Sequence, residues 1–319
     1  MKTLAALIVA AMLVAPMGCR NKNPAGGGQG VKKPGELKVL CTFLPVWIFT
    51  RNVVGNRPGV AVDVLIPGHQ GPHDYQLTPG DMTRIANADL FVANGLYLDE
   101  FITDTVRKAR PGLRIVEAAD GVTPISSDDQ GFWNQSDSAT ERFRLGINPH
   151  AFASPGQAAR MVDRIAGALA DVDPAGAADY QKNARDYAAR LTALAADFKA
   201  AAAAAPDKKI VTFHNSFDYL ARDTGLTVAG VIESVPGQEP AAGELARLAA
   251  KIRSARVAAI FSEPQYSPRL AQVLSAETGV KVYELDPVAT GNMEPDYYEK
   301  TMRKNLQTLK QALGADPAP

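Results

Sequence analysis

Four histidines occur in this 319-residue chain, and three of them stand where a folded chain presents ligands. His214 closes the stretch Lys208-Lys209-Ile210-Val211-Thr212-Phe213, whose β-branched residues predict a buried strand with the imidazole just past its C-terminal end. In an open α/β sheet that end faces the ligand crevice. Asp286 follows Lys281-Val282-Tyr283-Glu284-Leu285 in the same way, while His73 and His150 lie in Gly/Pro-marked loops between periodic segments. Three imidazoles and one carboxylate make a complete tetrahedral ligand set for a divalent metal such as zinc, and less selectively for manganese or iron. Each residue also has a plainer reading alone: His150 as a helix-start histidine, Asp286 as a turn aspartate before Pro287, and His69 as an ordinary exposed loop residue. Only the set points to a metal.

The same residues bound the chemistry. No stretch has the His-Glu-x-x-His spacing of a zinc protease or a Gly-x-Ser-x-Gly elbow. A catalytic zinc keeps a position open for water, and four protein ligands leave little room for one. Metal carriage is therefore expected over catalysis; the alternative is a secreted zinc hydrolase with Asp286 or Glu263 as base. Tyr75 and Asp74 are expected to fix the tautomer of His73. Imidazoles bind metal only when deprotonated, so binding is expected to weaken as pH drops through about 6 to 5.

The elements that must position these groups alternate. Leu37 to Leu44 reads as a strand ending at Pro45, with a short helix from Trp47 to Val54 closed by Gly55. Strands follow at 61–66, 90–93 and 113–116, with helices at 81–88 and 98–108. Asn148-Pro149-His150 leads to Ser154-Pro155, read as an N-cap with proline at the first helical position of a helix reaching about Ala170. From Ala175 to Ala205, Tyr180, Ala184, Tyr187, Leu191, Leu194 and Phe198 mark one stripe of a long helix able to brace two lobes. Beyond His214, strands at 226–232, 257–262 and 282–285 alternate with helices at 216–223, 240–254, 267–278 and 295–313. Both halves thus repeat one β/α plan, which predicts an α/β fold: two Rossmann-like lobes, each with a mostly parallel four-stranded sheet, joined by one long helix. The expected divisions are a signal peptide (1–18), a flexible tether (19–35), an N-terminal metal-binding lobe (36–153), a helical connection (154–206) and a C-terminal metal-binding lobe (207–319).

Lys plus Arg equals Asp plus Glu at 34 each, so no basic field is present to attract nucleic acid. The two cysteines deny the chain a disulfide framework, and Cys41, inside the first strand, reads as a small buried hydrophobe. Met1-Lys2 and the apolar run to Ala15 have the pattern of a secretory signal, ending at Pro16-Met17-Gly18-Cys19, which resembles a lipobox with Cys19 as the lipidated residue. The tether follows, and Ser126 to Arg144 reads as a polar surface excursion. Localisation is expected in the periplasm or at the cell surface, with membrane contact only through the lipid anchor.

Thr42-Phe43-Leu44-Pro45, Gly71-Pro72-His73-Asp74-Tyr75 with Thr78-Pro79, Asn94-Gly95, Asn148-Pro149-His150, Phe213-His214-Asn215-Ser216-Phe217-Asp218-Tyr219, Phe261-Ser262-Glu263-Pro264-Gln265 and Leu285-Asp286-Pro287 occur in that order. With them the chain, from Leu37 to Leu313, resembles the metal-specific substrate-binding proteins of bacterial ABC importers, the zinc and manganese type. The resemblance implies His73, His150, His214 and Asp286 as the four ligands, limited lobe motion, zinc (or manganese) as transported cargo, a membrane permease as partner, and a monomer. The chain departs from the family's pattern at Gly71, where Asp is common, and at Phe152-Ala153, where Trp-Leu is common. His214 stands where manganese-leaning members often carry Glu, which tilts the choice to zinc. The histidine-rich loop of some zinc members is missing, since 126–144 holds no histidine.

Overall fold

The computed structural model describes residues 36–126, 146–234 and 237–314. The signal peptide, the tether with Cys19, and all of the polar excursion but Ser126 lie outside the described residues.

Parallel strands buried on both faces read as short continuous apolar runs, and this chain has two sets of them. In the first, β1 (Leu37–Cys41), β2 (Val60–Val64), β3 (Leu90–Ala93) and β4 (Arg114–Glu117) form a sheet in the order β2-β1-β3-β4. All its pairings are parallel, with Val39 opposite Leu90 and Leu37 opposite Val60. Helix α1 (Leu44–Val54) follows β1, α2 (Pro79–Asn87) precedes β3, and α3 (Glu100–Ala109) precedes β4. Pro45 does not end the first element, as its position suggested, but occupies the first turn of α1, where a missing N–H costs nothing. Nine of the eleven residues of α1 are buried, because the helix packs on the sheet and on the long helix described below.

A 3-10 turn, His150–Ala153, leads into α4 (Pro155–Val172) and then α5 (Ala177–Ala204). The 28 residues of α5 span about 42 Å. Its expected stripe is all buried: Tyr180, Ala184, Tyr187, Leu191, Leu194 and Phe198 are each at most 2% exposed. Ser154 departs from its expected role. Its hydroxyl does not cap α4 but donates to Asp223 Oδ2 at 2.7 Å, across to the second half of the chain.

The second sheet repeats the first. β5 (Lys209–Thr212), β6 (Thr227–Val231), β7 (Ala259–Ser262) and β8 (Val282–Glu284) pair in parallel in the order β6-β5-β7-β8. Helices α6 (Asp218–Thr224), α7 (Ala242–Ala255) and α8 (Arg269–Thr278) connect them, and α9 (Tyr297–Leu313) ends the description. Helix α9 crosses back: it packs on α5 and α1, and the Tyr298 hydroxyl donates to the Phe152 carbonyl at 2.7 Å. In each sheet the chain leaves its first strand toward one side and returns to the other. The switch points therefore fall between β1 and β3 and between β5 and β7, where an open α/β sheet holds its ligand.

The lobes are tied on both sides of that crevice. On one side the Tyr219 hydroxyl donates to the Asn148 carbonyl at 2.7 Å and accepts from the Ile125 N–H at 3.1 Å. On the other, the Gly291 N–H donates to the Gly68 carbonyl at 2.7 Å, and Asn52 Nδ2 donates to the Pro295 carbonyl at 2.8 Å. A β-carbon on Gly68 would lie 2.7 Å from the Gly291 carbonyl oxygen, so the backbone approach requires glycine.

The fold thus rests on the buried face of α5. A Leu191→Ala variant is expected to lose about 3 kcal/mol of unfolding free energy, measured by chemical denaturation. A loss under about 0.5 kcal/mol would show that α5 is not a load-carrying brace.

Candidate metal site

Each candidate ligand sits beyond the C-terminal end of a strand or on the connection between the lobes. His73 lies in the 3-10 turn Pro72–Asp74 after β2, His150 opens the 3-10 turn before α4, and His214 is two residues past β5. Among the described residues, these three form the one group of histidine, cysteine or carboxylate side chains whose ligand atoms all lie within 4.8 Å of one another. His150 and His214 are buried and His73 stands at the exposed rim.

Their spacing matches one ion. His150 Nε2 lies 3.2 Å from His73 Nε2 and 3.3 Å from His214 Nε2. Nitrogens about 2.05 Å from a tetrahedral zinc stand about 3.3 Å from one another.

The tautomers of two rings follow from their outer partners. Asn148 Nδ2 donates to Asp218 Oδ2 at 2.9 Å and to the Asn215 carbonyl at 2.7 Å, which fixes the amide orientation and turns Oδ1 toward His150. That oxygen lies 2.9 Å from His150 Nδ1, so Nδ1 carries the proton and the Nε2 lone pair faces the cluster. Glu263, 2% exposed, places Oε1 2.8 Å from His214 Nδ1 and accepts a 2.8 Å hydrogen bond there from Ser216 Oγ. The Glu263–His214 contact is a close charge approach without hydrogen-bond geometry, and a carboxylate beside Nδ1 favours the proton there and the Nε2 lone pair inward. Carboxylate–imidazole pairs of this kind orient and strengthen metal-binding histidines. Apolar rings hold both imidazoles edge-on: Phe152 against His150 at 5.8 Å and Tyr266 against His214 at 5.7 Å.

Sequence reasoning found the three imidazoles and missed Asn148 and Glu263 as orienting groups, although both stand inside the motifs Asn-Pro-His and Ser-Glu-Pro-Gln. Nothing in those motifs says which imidazole each would meet, since Glu263 and His214 are 49 residues apart and adjoin only through the β5–β7 pairing. The expected partner of His73 is a correction. Tyr75 gives its hydroxyl to Asp81 Oδ2 at 2.6 Å, where it supports the capping of α2 by Thr78. The Asp74 side chain lies outside the described residues.

Asp286 follows β8 as expected, but its carboxylate is not in the imidazole group. Oδ1 accepts from the Val288 N–H at 2.8 Å and from Gln265 Nε2 at 3.4 Å. Val288, buried and at φ +67°, holds a left-handed backbone that is costly for a β-branched residue, so this turn is held in place by its surroundings. Burial raises the Asp286 carboxyl above the usual range, against the lowering effect of the Val288 N–H and Gln265. His69, read as an ordinary loop residue, lines the same cavity, so all four histidines of the chain do.

His73 is exposed at the rim, but its ring is packed among the other imidazoles, and the desolvation there, then the neighbouring His214, lower it to about 4. Burial, then the two neighbouring imidazoles, hold His150 well below 6.5. The His73 ring is therefore neutral through the pH 6 to 5 window in which ordinary imidazoles protonate, so proton competition there moves to lower pH than expected from sequence, and His150 shifts in the same direction.

Residues 39–312 match the family model for the zinc-uptake complex component A, periplasmic (ZnuA). The chain belongs to this family. The high-affinity zinc uptake system protein ZnuA of Bacillus subtilis is 30% identical over 311 residues, 96% of each chain. The zinc-binding lipoprotein AdcA of Streptococcus pneumoniae is 29% identical over 98% of this chain, which spans 61% of the streptococcal protein's length. The solved substrate-binding protein FpvC of Pseudomonas aeruginosa, in complex with Mn2+, is 31% identical, with a TM-score of 0.74 over 88% of this chain and 98% of that one. The two-lobed architecture is the fold of ZnuA-type proteins.

The depressed imidazole predicts a titration. In the metal-free protein, the His73 ring is expected to protonate with an NMR midpoint near 4. The sign follows by linkage: an unfolded imidazole takes its proton near 6.5 and the folded one near 4, so the metal-free protein loses stability as pH falls between those values. A midpoint at 6 or above would show that the ring is not shielded.

Proposed function

We propose that this ZnuA-family chain is an extracytoplasmic solute-binding protein that captures a divalent transition metal, zinc by preference and manganese as the second candidate, and delivers it to the membrane permease of an ABC importer. His73, His150, His214 and Asp286 are the proposed ligands. The observation that carries the reading is the convergence of Nε2 atoms at 3.2 and 3.3 Å, with the inward lone pairs of two of the rings set by Asn148 and Glu263. Three nitrogen donors, two of their separations at the tetrahedral value, suit zinc, and zinc stands above manganese in affinity at such a site. Asp286 belongs to the set as a ligand that must be recruited, because its carboxylate stands outside the imidazole group.

In this reading the site binds without catalysis. Both carboxylates that a hydrolase would use as base are committed to neighbours, Glu263 to His214 and Ser216, and Asp286 to its own turn. Delivery by a protein outside the cytoplasm fits the signal-like segment 1–18, with 19–35 as tether from a lipidated Cys19. Among the described residues no helix is long and apolar enough to cross a membrane. The divisions at 36–153, 154–206 and 207–319 follow the two sheets and the helices between them. The protein acts as a monomer in this proposal, since both lobes contributing ligands come from one chain.

Two experiments test it. Protein purified without chelator is expected to hold about one zinc per chain by elemental analysis, and His214→Ala is expected to lose at least a hundredfold in zinc affinity while keeping its far-UV circular dichroism. Full zinc affinity in that variant would sink the ligand assignment. For localisation, wild type is expected in the membrane fraction and Cys19→Ser in the soluble extracytoplasmic fraction; identical fractionation would rule out the anchor.

A further inference from the structure

The cavity over the three imidazoles is much larger than an ion needs. It encloses about 310 Å³, within the range of small-molecule sites. Three imidazoles would replace roughly half of the water shell of a hydrated cation. Three remaining waters at about 30 Å³ each occupy about 90 Å³, which leaves more than two thirds of the space unaccounted for.

The position facing this space is also the one that the chain does not supply directly. Asp286 stays outside the imidazole group, its Oδ1 tied to the Val288 N–H and Gln265, so bringing its other oxygen to the ion means shifting a turn that its surroundings hold at φ +67°. A donor arriving from solution meets no such cost. The walls define what that donor resembles. Gln265, Thr290 and His69 offer hydrogen-bonding groups, while Phe152, Tyr266 and Pro287 offer apolar surface. Among the described residues no lysine or arginine lines the cavity, so a polyanion such as citrate or phosphate finds no cationic partner there.

We propose that the metal enters as a complex with a small α-amino acid chelator, whose amine nitrogen and carboxylate oxygen occupy the face of the ion turned to the cavity. The amine binds as the free base, its proton going to solvent, and the side chain lies against the apolar wall. Asp286 takes over the vacated position when the chelator leaves. This inference rests on the metal-capture reading of the same site.

The test uses the full chain, zinc and ¹⁴C-labelled L-histidine as probe, followed by rapid desalting, with labelled citrate in a parallel run. The expected result is about one labelled histidine per retained zinc, none without zinc, and less than a tenth as much citrate. An Ala289→Trp variant, which fills the cavity from a position outside the imidazole group, is expected to retain zinc while losing at least tenfold in histidine. Zinc retained with fewer than 0.1 histidine per ion would overturn the inference and leave metal capture standing. Zinc stripped from the protein whenever histidine is present, or citrate retained equally well, would overturn it too. No zinc retained under any condition would bring down the metal-capture reading and this one together.

Discussion

Two imidazoles aim lone pairs at one point, and that convergence is the interaction the rest of the structure serves. His150 and His214 each have Nδ1 held by an oxygen, from Asn148 and Glu263, and their Nε2 atoms face each other at 3.3 Å. Like-facing lone pairs at that distance repel unless a positive charge lies between them. The arrangement therefore depends on outer partners that are themselves held. Asn148 is fixed by Asp218 and the Asn215 carbonyl, and Glu263 by Ser216. A site pre-set in this way avoids the ordering cost that a flexible set of side chains would meet on binding.

The architecture explains how distant residues come to share that point. Because both sheets run in the same order, each has its switch point at its middle, and the imidazoles that follow β2 and β5 meet at the 3-10 turn of His150. The orienting contacts cross between the halves: Asn148, ahead of α4, meets Asp218 on α6, and Ser154 meets Asp223. The same contacts that orient His150 thus tie the lobes. With a second tie at Gly68 and Gly291 and α9 packed across both halves, opening the crevice widely would break bonds on both sides. This is the physical content of the limited lobe motion that the family resemblance implies.

The fold was legible in the sequence to the extent that its signals are local. Apolar runs of four to eight residues marked seven of the eight strands to within two residues, and β1 ends three residues short of its expected run. The α5 stripe, Tyr180 to Phe198, announced its buried face through a periodicity that no other packing would require. Boundaries slipped where a local signal had two meanings. Pro45 can end a strand or start a helix, and the structure uses the second. Ser154 reads as a cap by type and position, yet a half-buried carboxylate from another helix claimed its hydroxyl. At the site, the imidazoles were legible because histidine is scarce in this chain. Asn148, Glu263 and the tied state of Asp286 were not, since each is defined by a partner that only the folded register supplies.

The unequal treatment of the ligands bears on which ion the proposed site prefers. His214 is backed by a buried carboxylate and His150 by a neutral amide, so the electron-donating power of the set is concentrated on the ring from the second lobe. Such a nitrogen-rich, tetrahedrally spaced set satisfies zinc with one further donor. Manganese, a harder ion, asks for more oxygens, and the oxygen the chain holds nearest in sequence design, Asp286, is bound to its own backbone turn. Zinc asks one oxygen of that carboxylate and manganese asks for more, so admitting manganese costs the chain the larger rearrangement. Discrimination in such a site resides less in the imidazoles, which serve both ions, than in how firmly Val288 and Gln265 keep one carboxylate away.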